Sequence, residues 1–208
     1  MVQSEALLLP LSLVGIVAAS MTAALAAGRR SMDWVGVVLL GSVTALGGGS
    51  ARDMMLGNYP LVWVHEPYLL AVTSVAALAT IMLSPVIHRF RNLFLVLDAV
   101  GLVAFTIVGC DVALKGGQHP VIVIVAGMIT GCVGGVLRDV LCNDVPLLFR
   151  SELYASVAVV TGLLYVIGLR IGFNPDLVSA VALTAGLAFR LLAIRYRWEM
   201  PKFVYERD

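Results

Sequence analysis

Two Arg-Asp dipeptides, Arg52-Asp53 and Arg138-Asp139, stand in apolar stretches, and each follows closely on a cluster of glycines. An ionisable group at membrane depth is costly, so one found there normally serves an ion path, a proton relay or a locking ion pair. Asp98, within Leu95-Val96-Leu97-Asp98-Ala99-Val100, is a third such position, and Arg52 and Arg138 are its candidate partners. Neighbours at i and i+1 point in different directions on a helix, so neither Arg need pair with the Asp beside it. Asp111 reads as a solvated residue at a span mouth. Arg190, late in the last apolar stretch, reads as a side chain that snorkels to the headgroups. Catalytic chemistry finds no support. Cys110, Cys132 and Cys142 lack paired spacing and read as buried thiols, and His65, His88 and His119 fall in loops. No metal motif, nucleophile constellation or cofactor fingerprint is present, so neither an enzyme nor a cofactor is expected.

These residues need elements to hold them. Of 208 residues, 60% are hydrophobic and 13% charged, with a net charge of +1, which places the chain in the membrane class and gives no nucleic-acid surface. Seven stretches approach the ~20 apolar residues a spanning helix needs. They run over Leu7–Ala27, Trp34–Leu56, Tyr68–Ile87, Leu93–Leu114, Val121–Leu141, Leu153–Leu169 and Leu177–Ile194. Glu5 precedes the first stretch and Arg29 and Arg30 follow it, an order that fits a retained span and not a signal peptide. With the N-terminus outside, the cytoplasmic side receives Arg29, Arg30, Arg89, Arg91, Arg150 and a basic tail, and the outer loops only Lys115 and Arg170. The expectation is a multi-pass protein of the cell's inner membrane, N-terminus outside and C-terminus cytoplasmic.

The chain repeats itself. Gly48-Gly49-Ser50-Ala51-Arg52-Asp53 matches Gly134-Gly135-Val136-Leu137-Arg138-Asp139 at an offset of 86, which is 138 minus 52. The same offset aligns Gly15 with Gly101, Gly41 with Gly127, Thr44 with Thr130, Pro60 with Pro146, Glu66 with Glu152 and Tyr68 with Tyr154. Each copy holds three spans. Three is odd, so the second copy enters the membrane from the opposite side, and the two are inverted about an axis in the membrane plane. The predicted fold is an all-α integral membrane protein of seven transmembrane helices, two inverted three-helix repeats plus a seventh helix. Residues 1–86 form the first repeat, 87–172 the second, 173–196 the seventh helix and 197–208 a basic cytoplasmic tail. Spans two and five carry small residues at every fourth position. The glycines Gly47, Gly48, Gly49, Gly131, Gly134 and Gly135 predict either close packing or a break that draws the Arg-Asp pairs deeper.

On the Gly47-Gly48-Gly49-x-x-Arg52-Asp53 run, its second copy and the following Pro146, the chain resembles the prokaryotic branch of the trimeric intracellular cation (TRIC) channel family. It also resembles a glycine-transporter domain present twice. The likeness covers nearly the whole chain. It implies a homotrimer with an hourglass pore inside each protomer, lined by kinked spans two and five with spans one and four, and passing potassium or sodium ions across the bilayer. Animal relatives carry a Lys-Glu-Val lipid-binding motif with no counterpart here, and the family's first span often has an acid where this chain has Ser12. A pore lining is then expected from Ser12, Thr44, Ser50, Asp98 and Thr130 together with Arg52, Asp53, Arg138 and Asp139. The competing activity is secondary transport of a small zwitterion such as glycine, which inverted repeats also suit. The small repeat, with little mass to rock as a rigid body, favours the channel.

Overall fold

The computed structural model describes residues 7–87, 92–150 and 153–198. These form nine helices: α1 (Leu8–Arg29), α2 (Trp34–Leu56), α3 (Val62–His65), α4 (Tyr68–Ile87), α5 (Leu93–Lys115), α6 (Pro120–Leu141), α7 (Leu147–Arg150), α8 (Tyr154–Ile171) and α9 (Pro175–Tyr196). Six are long and apolar enough to span a membrane, and the seventh span is the apolar α4. His88, Arg89, Arg91 and most of the basic tail lie outside the described residues.

Local chemistry sets the ends. Asp33 caps α2 by accepting from the Gly36 amide at 2.7 Å, and Gly57 closes it with φ +72°, a left-handed turn that favours glycine. His119-Pro120 and Asn174-Pro175 open α6 and α9, with Pro in the first turn, where it needs no hydrogen-bond donor. Two short helices, α3 and α7, stand between the predicted spans. They occupy corresponding places after Pro60 and Pro146, and α3 takes up His65, which the sequence placed in a loop.

Packing reproduces the repeat. In the first copy α1 packs on α2 and α4, and α2 on α4; in the second α5 packs on α6 and α8, and α6 on α8. The copies meet through α1 on α5 and α2 on α6, each helix against its own counterpart, as a two-fold relation requires. The axis can be located from glycines. A Cβ built on Gly48 would collide with the Thr130 carbonyl oxygen, and one built on Gly134 with the Thr44 carbonyl oxygen. Each contact maps onto the other at the offset of 86. Likewise Gly15 faces Phe105 while Gly101 faces Ala19.

Both glycine helices run unbroken. α2 is α-helical through Gly47–Gly49 and α6 through Gly131–Gly135, so of the two predicted alternatives it is close packing that the glycines serve here. Backbone packs against backbone, because without side chains the two helices approach until glycine meets carbonyl. The glycines are not equivalent. A Cβ on Gly49 has only the Arg52 guanidinium near it, at 3.8 Å, and one on Gly47 meets only the Leu137 side chain.

This difference is testable by thermal unfolding in detergent. Gly48→Ala and Gly134→Ala should each destabilise by about 1–3 kcal/mol through overpacking. Gly49→Ala should be neutral or stabilise by up to about 1 kcal/mol through helix propensity. Equal effects at positions 48 and 49 would refute the backbone contact.

Candidate ion pathway

The polar interior is built on the crossing of α2 and α6. Arg52 lies late in α2 and Arg138 late in α6, where a straight helix can bring a guanidinium near a headgroup layer. Both are instead buried, at 3% and 1% exposure. Each is held by the carboxylate that follows it. Arg52 Nε donates to Asp53 Oδ1 at 3.0 Å, and Arg52 Nη2 to both Asp53 oxygens at 2.8 and 2.9 Å. Arg138 Nε donates to Asp139 Oδ1 at 2.8 Å. The long Arg side chain curls back to its neighbour, although adjacent residues leave the helix in different directions. Burial requires that pairing, since a charge removed from water needs a partner.

Asp98, on α5, adds a second carboxylate to one site only. Arg138 Nη1 donates to Asp98 Oδ1 at 2.8 Å and to Thr22 Oγ1 at 3.1 Å. The guanidinium carbon also lies 4.7 Å from the centre of the Phe94 ring. Asp139 Oδ2 accepts from the Leu147 amide at 2.9 Å and so ties α6 to the start of α7. In the first repeat the Asp98 position is Ser12. The first cluster, Arg52 with Asp53, therefore carries no formal net charge, while Arg138 with Asp98 and Asp139 carries one negative charge.

Two cavities flank the α2–α6 crossing. One, of about 200 Å³, is lined by Ser12, Ala45, Gly49, Ser50, Arg52, Trp63, Phe105 and Thr130 among others. The other, of about 20 Å³, is lined by Ala19, Thr22, Thr44, Asp98, Phe105, Gly131, Gly134, Gly135, Arg138 and Tyr154 among others. Many wall positions correspond at the offset of 86, including Ser12 with Asp98, Ala45 with Gly131, Gly49 with Gly135 and Arg52 with Arg138. The cavities are thus two forms of one site, inverted, and Phe105 borders both. The smaller has room for about one water. Asp98 Oδ2, Arg138 Nη2 and Thr44 Oγ1 are buried there without a hydrogen-bond partner among the described residues. Unmet donors and acceptors at a cavity wall favour a polar occupant.

The predicted lining divides accordingly. Ser12, Ser50, Arg52 and Thr130 border the larger cavity, and Thr44, Asp98 and Arg138 the smaller. Asp53 and Asp139 appear as partners of the arginines. Thr130 donates to the Ala126 carbonyl at 2.7 Å, while Ser50 donates to the Leu46 carbonyl and accepts from Trp63. Thr22, Phe105 and Tyr154 escaped the sequence reading. Thr22 and Tyr154 are polar groups in or at the start of apolar spans, which was the available signal; Phe105 offered none. Two expectations are corrected. Asp111 is buried, with Tyr165 Oη donating to it at 3.2 Å and Lys115 2.9 Å away, and is not a solvated mouth residue. Arg190 is 0% exposed and does not snorkel; its guanidinium lies 4.8 Å from the Tyr154 ring centre. The three cysteines are free and buried, as expected.

Fold and site define a class: a multi-pass membrane protein of two inverted three-helix repeats with arginine-bordered cavities on both sides of their central crossing. A family model described as glycine transporter matches twice, over residues 9–85 and 95–170. The inner membrane protein YadS of Escherichia coli is 36% identical over 200 residues, covering 95% of this chain and 97% of that protein. The membrane protein YvgT of Bacillus subtilis is 33% identical, covering 95% and 97%. The crystal structure of a TRIC trimeric intracellular cation channel orthologue from Rhodobacter sphaeroides superposes with a TM-score of 0.88 at 34% identity, covering 92% of this chain and 98% of that one. A prokaryotic TRIC channel crystallised in 0.5 M KCl gives 0.85 at 28% identity, covering 93% and 98%. A TRIC channel from C. elegans, at 0.60 and 13%, shares the fold. The chain belongs to the prokaryotic TRIC family, whose domain carries the glycine-transporter description.

The two arginine sites differ in what truncation leaves behind. Arg138→Met strands two buried carboxylates and should destabilise by about 3–5 kcal/mol, as for a broken buried ion pair. Arg52→Met strands one, beside the larger cavity, and should cost clearly less. Denaturation of the two variants in parallel checks the order.

Proposed function

We propose that the protein is a channel for monovalent cations, potassium before sodium, with one pore inside each protomer. α2 and α6 form its waist, α1 and α5 complete its wall, and Gly47, Gly48, Gly49, Gly131, Gly134 and Gly135 let the two central helices bend as it opens. The observation that carries this reading is the pair of inverted cavities beside the glycine crossing, with polar side chains in both walls. Two shallow sites in series suit permeation, which needs binding weak enough for ions to leave. Asp98 gives the Arg138-side cavity a carboxylate that the first repeat lacks, a group that attracts cations and not anions. Relatives described as trimeric cation channels support both the activity and a homotrimer. We place the protein in the inner membrane with its N-terminus outside, as for the E. coli relative's membrane and from the Arg29, Arg30, Arg195 and Arg197 charges on one side against Lys115 and Arg170 on the other. We assign the first repeat to residues 1–86, the second to 87–172, the seventh helix to 173–196 and a tail to 197–208.

The test is current through a planar bilayer containing the purified protein under a potassium chloride gradient. Discrete ohmic steps reversing near the potassium equilibrium potential are expected. Asp98→Asn should lower unitary conductance or cation preference by up to about tenfold, and an unchanged current would remove Asp98 from the path. A silent bilayer together with saturable glycine uptake into liposomes would favour secondary transport, the activity in the family description.

A further inference from the structure

The two cavities occupy corresponding places, yet one is about 200 Å³ and the other about 20 Å³. The glycine crossing is common to both, so the difference comes from what lies beside them. Tyr68 and Tyr154 correspond in the repeat. Tyr68 is 48% exposed and stands outside the wall of the larger cavity, whereas Tyr154 is 4% exposed and forms part of the wall of the smaller. The Tyr154 hydroxyl lies against Gly135, and the residue shares the cavity wall with Asp98 and Arg138.

α9 is the one span without a repeat partner, and it packs on α5 and α8 of the second copy. Gly186 brings it in: a Cβ there would meet Val103 Cγ1 at 2.8 Å and collide with the Thr161 hydroxyl. Arg190 follows four residues later and so faces the same way. It is fully buried with its guanidinium 4.8 Å from the Tyr154 ring centre. A cation over an aromatic face, taken out of water, makes one of the stronger contacts open to an aromatic ring.

We propose that Arg190 is a positioning residue of the ion pathway: from the helix outside the repeat it stacks on Tyr154 and holds that ring across the Arg138-side cavity, keeping narrow one of two corresponding cavities. The role in conduction rests on the channel reading above; the clamp itself does not. α9 thereby gives a protein built from two like halves a wide side and a narrow side.

The clamp can be tested without current. Ala19 lines the narrow cavity, and Ala19→Cys puts a thiol in its wall. The native cysteines are buried, so the chain without the added thiol serves as the blank. In reconstituted protein, modification by a small cationic methanethiosulfonate should be slow with Arg190 present and about tenfold faster with Arg190→Met, the scale of a lost desolvated cation–π contact. Tyr154→Leu should accelerate it equally, and the double variant should be no faster than either single one. Tyr154→Phe, which keeps the ring, should stay slow, and Arg190→Lys should fall between. Unchanged modification in a folded Arg190→Met protein, or additive acceleration in the double variant, would overturn the clamp. Unitary conductance of the same variants separates the two readings. If currents flow but neither conductance nor thiol rates respond, the clamp fails and the channel stands. If thiol rates respond as expected and no variant passes current, the channel reading fails and the clamp stands.

Discussion

The structure depends on one contact, the approach of α2 and α6 to backbone distance at Gly48 and Gly134. In lipid, helices gain little by hiding apolar surface from one another, so close packing and polar pairing must hold a bundle together. Glycine at a crossing gives the closest packing available, because carbonyl oxygens of one helix occupy the space where a side chain of the other would stand. Each repeat supplies one glycine and one carbonyl to the other, so a single geometry satisfies both. The contact also fixes the axis, and with it the placing of α1 against α5 and of the outer helices around them.

The same crossing leaves polar space on either side. Since the axis passes between α2 and α6, anything on one side of the waist has a counterpart on the other, and a duplicated Arg-Asp pair becomes two arginine-bordered cavities facing opposite membrane surfaces. Pairing each arginine with its own neighbour lets both guanidiniums stay inside without a long search for partners. Departures from symmetry then carry the distinctions between the two sides. Asp98 in place of Ser12 gives the Arg138 cluster its extra charge and draws Thr22 into a wider network. α9, present on one side only, covers Tyr154 while Tyr68 stays exposed.

Much of this was legible in the residues. The seven spans ended within two residues or so of where the sequence placed them, because Pro, Gly and charged residues cluster between apolar runs and fix the ends locally. The offset of 86 disclosed the repeat, and the odd number of spans per copy then required inversion. The sequence left open whether the glycine runs break the helices. The propensity cost of glycine argues for weakening, but a neighbouring backbone only a carbonyl's width away compensates, and that neighbour, Thr130 for Gly48 and Thr44 for Gly134, lies far off in the chain.

The sequence by itself determined the membrane class, the spans, the duplication and the residues able to carry charge inside, since each follows from composition or from periodicity along the chain. Only the tertiary structure decided what those charges meet. Arg138 finds Asp98 forty residues away, Arg190 turns inward to Tyr154 and does not reach for water, and Asp111 is enclosed beside Tyr165. An arginine near a span end has the same sequence surroundings whether it faces lipid or the bundle. The choice is set by which face of the helix the neighbouring spans cover, and for α9 that is fixed by Gly186 settling against Val103 and Thr161.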